Sequence, residues 1–411
     1  MRQKRSSKRS LFVMSNINTN SKPVTSDLFN TKRPFYTEEH EMFRISLRKF
    51  IEKEVVPNFE LWEKNQHTPR SLFTKMGEMG FLAPQVDPTY GGLGLDFGYN
   101  LILGEEANRI GGGICGASMH STIIVPYLEK YGTEEQKKEY LPRFVSGEIL
   151  TGVAMTEPGA GSDLASIQTT AIRDGKHYVI NGQKTFISNG INAELFFVVV
   201  KTNQKATPAY SGVSVIIVEK GTPGFSTGRK LNKLGQHSWD TAELIFEDVR
   251  VPVSNLLGEE GRGFSILMDK LQQERLSAAN SALIVAEEIL KSTIAYVKQR
   301  KAFGKPISSF QNTQFEIAEM ATELSIARSF LNDLIPRHMN NEEIEMQVSM
   351  AKYYIPEMTK RMATRCLQLH GGYGFMEEYP IARRYRDTPV LSIGGGTTEI
   401  MKTIIAKKLG M

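Results

Sequence analysis

The hydrophobic period of this chain changes twice, and those two changes restrict its possible folds more than any other feature. Up to about residue 150 the apolar residues recur at helical spacing. The first clear helix opens after Thr37, with Glu38 and Glu39 in its first turn and Phe43, Leu47, Phe50, Ile51 and Val55 on one face, and Pro57 marks its end. Similar patterns occupy Ser71–Met79, Leu101–Arg109 and Thr133–Val145, while Tyr90–Leu95, with Gly91-Gly92-Leu93-Gly94 inside it, reads as a loop. Near residue 150 the period drops to two. His177–Ile180 runs into Asn181-Gly182, which reads as a hairpin turn, and Gln183–Ile187 follows. Leu195–Lys201, Gly212–Val218 and Ala242–Phe246 are further strands. After Gly261-Arg262-Gly263 the helical period returns, over about 264–301, 309–334, 342–370 and 397–409, with short connections that favour an antiparallel bundle. The expected fold is therefore α+β. It has a tail over 1–35 without structure, a helical domain over 36–150, a β domain over 151–260 and a helical bundle over 261–411.

A chain of 411 residues, 40% hydrophobic, can bury more than one core. No stretch approaches the roughly 20 apolar residues of a membrane span; the longest run, Leu195–Val200, is short and strand-like. Cys115 and Cys366 are far apart and in no metal-like spacing, so neither a disulfide framework nor a metal site is expected. The formal charge of +5 equals the cations of Arg2, Lys4, Arg5, Lys8 and Arg9, which leaves the body neutral and gives no argument for nucleic-acid binding. Those basic residues read either as a mitochondrial-type leader, implying the matrix, or as an upstream extension before a start at Met14, implying the cytoplasm. The second reading is the one preferred.

Five segments carry the chemistry. Ala154-Met155-Thr156-Glu157-Pro158-Gly159-Ala160-Gly161-Ser162-Asp163 spaces glycines between small and hydroxylated residues, so that a backbone can approach a ligand closely. Gln183–Gly190 follows, with Phe186 at its centre. Arg300-Lys301-Ala302-Phe303-Gly304 sets two cations at a helix end, suited to a pyrophosphate or simply to solvent, and Gln311 lies on the next helix. Gln368-Leu369-His370-Gly371-Gly372 gives a glycine turn, in which His370 is read as structural. Gly395-Gly396-Thr397-Thr398-Glu399 opens the closing helix, whose free N–H groups can meet an anionic oxygen.

In this order the segments resemble the signatures of the acyl-CoA dehydrogenases over about residues 36–411, and most closely the long-chain subgroup. The resemblance implies an N-terminal helical domain, a middle β-barrel and a C-terminal four-helix bundle, usually assembled as a homotetramer. It implies FAD as cofactor, an acyl-CoA oxidised to the trans-2-enoyl-CoA in fatty-acid or branched acyl catabolism, and an electron-transfer flavoprotein as acceptor. Carried over residue by residue, it places Met155, Thr156, Gly161, Ser162, Phe186, Ile187 and Ser188 against the flavin. Arg300, Phe303, Gln311, Gln368, Leu369, Gly371, Gly372, Thr397 and Glu399 fall to the dinucleotide, the Gln368–Gly372 turn to that of another subunit, and Ser162, Arg275, Gly395 and Gly396 to the acyl-CoA. The family aromatic at position 186 is often Trp; here it is Phe186.

The resemblance implies a carboxylate as the base; a thioester α-proton is a weak acid and needs an acceptor in hydrogen-bond reach. Many members carry it at the position of Gly395, where this chain has none. The long-chain and isovaleryl subgroups carry it on the first bundle helix, which here is Glu274 in Leu271-Gln272-Gln273-Glu274-Arg275-Leu276. Taken alone, Glu274 reads as a solvated helix residue; the glycine at 395 makes the base the better reading. Two rivals stay open: an acyl-CoA oxidase that uses dioxygen, and a non-catalytic paralogue that binds FAD or CoA.

Overall fold

The computed structural model describes Phe29 and residues 32–411. The basic segment and Met14 lie outside the described residues. At its upper end the expected tail is corrected: Arg33 and Phe35 pack on the body. Arg33 is buried, reaching Asn280 Oδ1 at 2.6 Å and the carboxylate of Glu105 at 3.2 Å. A charge removed from water needs a partner of opposite sign, and Glu105 supplies it.

The first helix, Glu38–Phe50, is capped by Thr37 through a reciprocal pair with His40. It continues as a wider π turn, Ile51–Val55, before Pro57. Helices Phe59–Asn65, Arg70–Glu78 and Phe97–Ile110 follow. Arg44 joins Glu38–Phe50 to Phe97–Ile110 through Glu105 at 2.7 Å and Glu106 at 3.0 Å. Burial alone would raise the Glu105 carboxyl, but Arg33, Arg44 and Arg109 hold it down at about 2. A depressed carboxyl stabilises the fold above its unfolded value and loses that contribution as pH falls through the folded one. The unfolding midpoint should therefore drop as pH is lowered from 4.5 to about 2. Thermal melts of Glu105→Gln should lack that portion of the decline, and melts with the full decline would overturn this assignment.

A helical stretch that the periodicity does not reveal runs through Cys115–Met119, the π turn His120–Ile124, and Val125–Tyr131. Gly116, Ala117, His120, Ser121, Thr122, Ile124, Val125 and Tyr127 are all buried there, so no polar face remains to mark a stripe. Glu134–Val145 closes this helical part.

The sheet contains β1 (Thr151–Ala154), β2 (Thr170–Asp174), β3 (His177–Ser188), β4 (Leu195–Lys201), β5 (Val213–Glu219), β6 (Phe225–Lys230) and β7 (Thr241–Pro252). One leaf is β1-β4-β5 and the other β2-β3-β7-β6; they meet at the pair Thr170↔Lys201. The expected barrel is thus a curled seven-stranded sheet. Asn181-Gly182 is no hairpin turn. The reversal lies between Asp174 and His177, with Gly175 at φ +59°. Gly182 instead sits at a register shift in β3, where a Cβ would come within 2.5 Å of Thr169 Oγ1. The glycine serves close packing there.

The apolar run of β4 is explained by its two covered faces. Leu195, Phe197 and Val199 pack with Ile124, Leu128 and Phe144 of the helices. Phe196, Val198 and Val200 fill the inside of the sheet with Ile180 and Phe246.

From Gly263 the chain forms three long helices, Gly263–Gln299, Gln311–Met339 and Glu345–His370. Leu276, Leu283 and Leu290 of the first meet Leu324 and Leu331 of the second and Ile355 and Met362 of the third. A short helix, Pro380–Asp387, precedes the closing helix Thr398–Lys408, whose Met401 is buried.

Candidate active site

Three elements meet at Gly395. Glu274 comes from the first bundle helix, Lys352 from the third, and Gly394–Gly396 from the turn before the closing helix. A Cβ at Gly395 would lie 3.3 Å from Glu274 Oε1 and 3.7 Å from Lys352 Cε. Gly395 adopts φ +67° and Gly396 φ +102°, backbone shapes that favour glycine. Glu274 is half-buried as a residue, but its Oε2 is sealed and has no hydrogen-bond partner. Burial pushes its carboxyl up, opposed by Arg275 and Lys352. The solvated helix residue weighed above is therefore ruled out. Its neighbour Arg275 is buried, 3.6 Å from Glu345 Oε1, with its Nε unpartnered.

A second group forms where the loop after β1 lies beside β3. Thr185 N–H donates to Thr156 C=O at 2.9 Å. Lys184 Nζ donates to Met155 C=O at 3.0 Å and to Glu157 Oε1 at 2.7 Å. Both ends of that ion pair are buried, and Glu157 also accepts from the N–H groups of Gln168 and Thr169. The loop is thus fixed in shape before any ligand arrives. Gly159 and Gly161 face open space, Ser162 is exposed, and Ser188 is half-buried at the end of β3. Phe186 sits at a second register shift of β3, at φ +60°, with 67% of its surface exposed. An aromatic held outward in a left-handed conformation suits a flat ring stacked on it. Ile187, in contrast, is buried in the sheet core, so ligand contact there falls to the backbone.

The third group lines a cleft of about 430 Å³ that includes Arg300, Gln368, Leu369, Gly371 and Gly372. Arg300 ends the first bundle helix and lies 5.3 Å over the Tyr373 ring. Phe303, 94% exposed, is on the short hairpin that follows, and Gln311 opens the next helix. His370 is buried, stacked on Tyr296 at 4.1 Å, and its Nδ1 lies 2.8 Å from Cys366 C=O, which is a structural role. Thr397 caps the closing helix through Ile400 N–H, and Glu399 is exposed in its first turn. The open glycines and the outward Phe186 suit a flat ring system, and, as a separate group, the cation of Arg300 beside a glycine turn suits a pyrophosphate, so each group fits a part of a flavin dinucleotide.

Sequence reasoning missed Lys352 and Tyr127, which both face Glu274. Lys352 was hidden within a helical period, although a lysine between Ala351 and Ile355 on a buried face is a readable signal. Tyr127 is buried with its hydroxyl unpartnered, and burial and then the Glu274 charge push it well above the phenol range. It lies in the helix without a stripe. Among the described residues no cluster of His, Cys, Asp or Glu could hold a metal ion, and no helix is long and apolar enough to cross a membrane.

Similarity to known proteins extends along nearly the whole chain. The sequence profile of the acyl-CoA dehydrogenase N-terminal domain matches residues 37–148, that of the middle domain 152–249, and that of the C-terminal domain 261–410. The mitochondrial long-chain specific acyl-CoA dehydrogenase of Sus scrofa is 44% identical over 380 residues, 92% of this chain and 88% of that protein. The mitochondrial isovaleryl-CoA dehydrogenase of Pongo abelii is 35% identical over 374 residues, 90% of this chain and 88% of that protein. The crystal structure of an acyl-CoA dehydrogenase from Geobacillus kaustophilus superposes with a TM-score of 0.91 at 55% identity, covering 92% of this chain and all of that one.

Proposed function

The chain belongs to the acyl-CoA dehydrogenase family, and from that premise we propose that it dehydrogenates a fatty or branched acyl-CoA to the trans-2-enoyl-CoA with Glu274 as the base. The observation that carries this reading is the sealed, unpartnered carboxylate oxygen of Glu274, whose other oxygen lies 3.3 Å from where a Gly395 Cβ would be. In this reading Glu274 takes the α-proton. The thioester oxygen accepts from backbone N–H groups of the Gly395-Gly396 turn, which no side-chain change can remove. Arg275 and Ser162 contact the acyl-CoA.

FAD is the cofactor that fits, and when bound it supplies a hydride acceptor for the β-hydrogen and a route for two electrons to an electron-transfer flavoprotein. Phe186, Ser188 and the loop of Met155, Thr156, Gly161 and Ser162 shape one face of its site. Arg300 brings positive charge to the pyrophosphate, with Phe303, Gln311, Gln368, Leu369, Gly371, Gly372, Thr397 and Glu399 along the rest of the dinucleotide. The exposed rings of Phe303 and Phe375 support a homotetramer that covers them. Residues 36–150, 151–260 and 261–411 are read as the three domains.

The test is anaerobic mixing of the flavin-loaded protein with short, branched and long acyl-CoAs. Bleaching of the flavin absorbance by at least one of them is expected, with slow recolouring in air and fast recolouring by an electron-transfer flavoprotein. Rapid recolouring by air alone would make the protein an oxidase, and no bleaching by any of them would make it a non-catalytic binder.

A further inference from the structure

Lys352 is a buried cation whose placement the fold alone does not require. It is 1% exposed on a buried helix face shared with Val348, Ser349, Ala351 and Ile355. Taking an ammonium out of water costs several kcal/mol unless partners replace its hydration. Two of its three donors are used, toward Leu391 C=O at 2.9 Å and Gly396 C=O at 3.1 Å. Those carbonyls stand at the two ends of the turn that carries Gly394, Gly395 and Gly396. Among the described residues the N–H groups of Gly395 and Gly396 make no hydrogen bond to another backbone group.

The charges around Lys352 are few. Glu274 and Arg275 face it from the first bundle helix and Glu357 from its own, while the closing segment offers only carbonyls. Glu274 and Lys352 both reach Gly395, yet they form no ion pair with each other among the described contacts. Here a cation and a carboxylate flank one glycine from two different helices.

We propose that Lys352 is a positioning residue for the acyl-CoA reaction, holding the Gly395-Gly396 turn with its N–H groups toward the thioester oxygen and facing the negative charge that forms there. The proposal rests on the reading of the site given above. When the α-carbon–hydrogen bond breaks, the proton goes to a Glu274 carboxylate oxygen and the electron pair delocalises onto the thioester oxygen. That oxygen then meets the turn's N–H groups with the ammonium behind them. Such donors act at full strength because they are fixed before the charge appears. Burial lowers the Lys352 ammonium to about 8, with Glu274 holding it up, so it stays charged at neutral pH.

The experiment uses the flavin-loaded full chain and acetoacetyl-CoA, a 3-oxoacyl thioester that is not dehydrogenated but whose enolate gives a long-wavelength band with oxidised flavin. The pH midpoint of that band is measured for wild type, Lys352→Met, Lys352→Gln and Lys352→Arg. The Met variant should raise the midpoint by about two pH units, a hundredfold loss of enolate stabilisation. The Gln variant, which keeps donors without charge, should raise it by about one unit, and the Arg variant should stay within about one unit of wild type. Flavin content should be unchanged in all of them. A folded Met or Gln variant with a midpoint within about half a pH unit of wild type would overturn the proposal, as would loss of folding in all three variants, which would assign Lys352 to the core alone. A wild-type protein that holds flavin yet never enolises the probe would defeat the dehydrogenase reading and this one together; unchanged variants beside an active wild type defeat this one only.

Discussion

Replacing Glu274 by glutamine should leave a folded, flavin-holding protein whose acyl-CoA turnover falls by about 10²- to 10⁴-fold, the range that a positioned general base supplies. Glutamine keeps the shape of the side chain and its approach to Gly395, 3.3 Å from Oε1 to the Cβ position, so packing is little disturbed. It cannot take a proton. The loss should fall on kcat and on kcat/KM alike, because the interaction removed is made only as the α-proton leaves. The pH profile gives an independent check. Burial raises the Glu274 carboxyl above its ordinary value of 4.5, and a base must be ionised to work. In the wild type kcat/KM should therefore rise with pH along a limb that lies above the ordinary carboxylate range, and that limb should be missing from the residual activity of the variant. A Glu274→Gln protein with near-normal turnover would end the assignment of the base, whatever the fate of the fold.

Much of this was legible in the sequence because it is written in short, local signals. The change from helical to alternating period near residue 150 and back near Gly263 follows from which faces each element buries, and Gly395 read beside Glu274 picked out two residues that the fold brings together, a Gly395 Cβ position lying 3.3 Å from Glu274 Oε1. What stayed hidden is non-local. The Cys115–Tyr131 helical stretch has no stripe because most of it, up to Leu128, is enclosed. Asn181-Gly182 has the composition of a turn, but its glycine is needed because Thr169 passes against it. Arg33 looked like part of a polar tail, and partners far along the chain, Glu105 and Asn280, make it part of the core. Lys352 belongs to the same class. Nothing in its neighbours along the chain says that Leu391 and Gly396 will offer it two carbonyls. Pairings of that kind depend on how helices distant in sequence are brought together, and a single chain's pattern does not record them.

Moving the base to the other side of the same space should restore part of what Glu274→Gln removes. In the double variant Glu274→Gln, Gly395→Glu, turnover should recover about ten- to a hundredfold over Glu274→Gln alone, without reaching the wild type. The reason is geometric: a side chain grown from Gly395 starts within 3.3 Å of the Glu274 carboxylate, so a carboxyl from either residue can reach the same substrate carbon. Two costs limit the recovery. Gly395 has φ +67°, a conformation that costs a residue with a side chain about 1–3 kcal/mol. The new chain also starts 3.7 Å from Lys352 Cε, and an ion pair with that ammonium would lower the basicity of the new carboxylate. Its acid limb in kcat/KM should accordingly lie at lower pH than that of the wild type. The control is Gly395→Gln in the same background, which has the same bulk and strain but no base, and should recover nothing. Equal recovery by the Glu and Gln variants at 395 would mean that relief of some packing defect, and not proton transfer, had been restored, and the shared position of the two carboxylates would have to be given up.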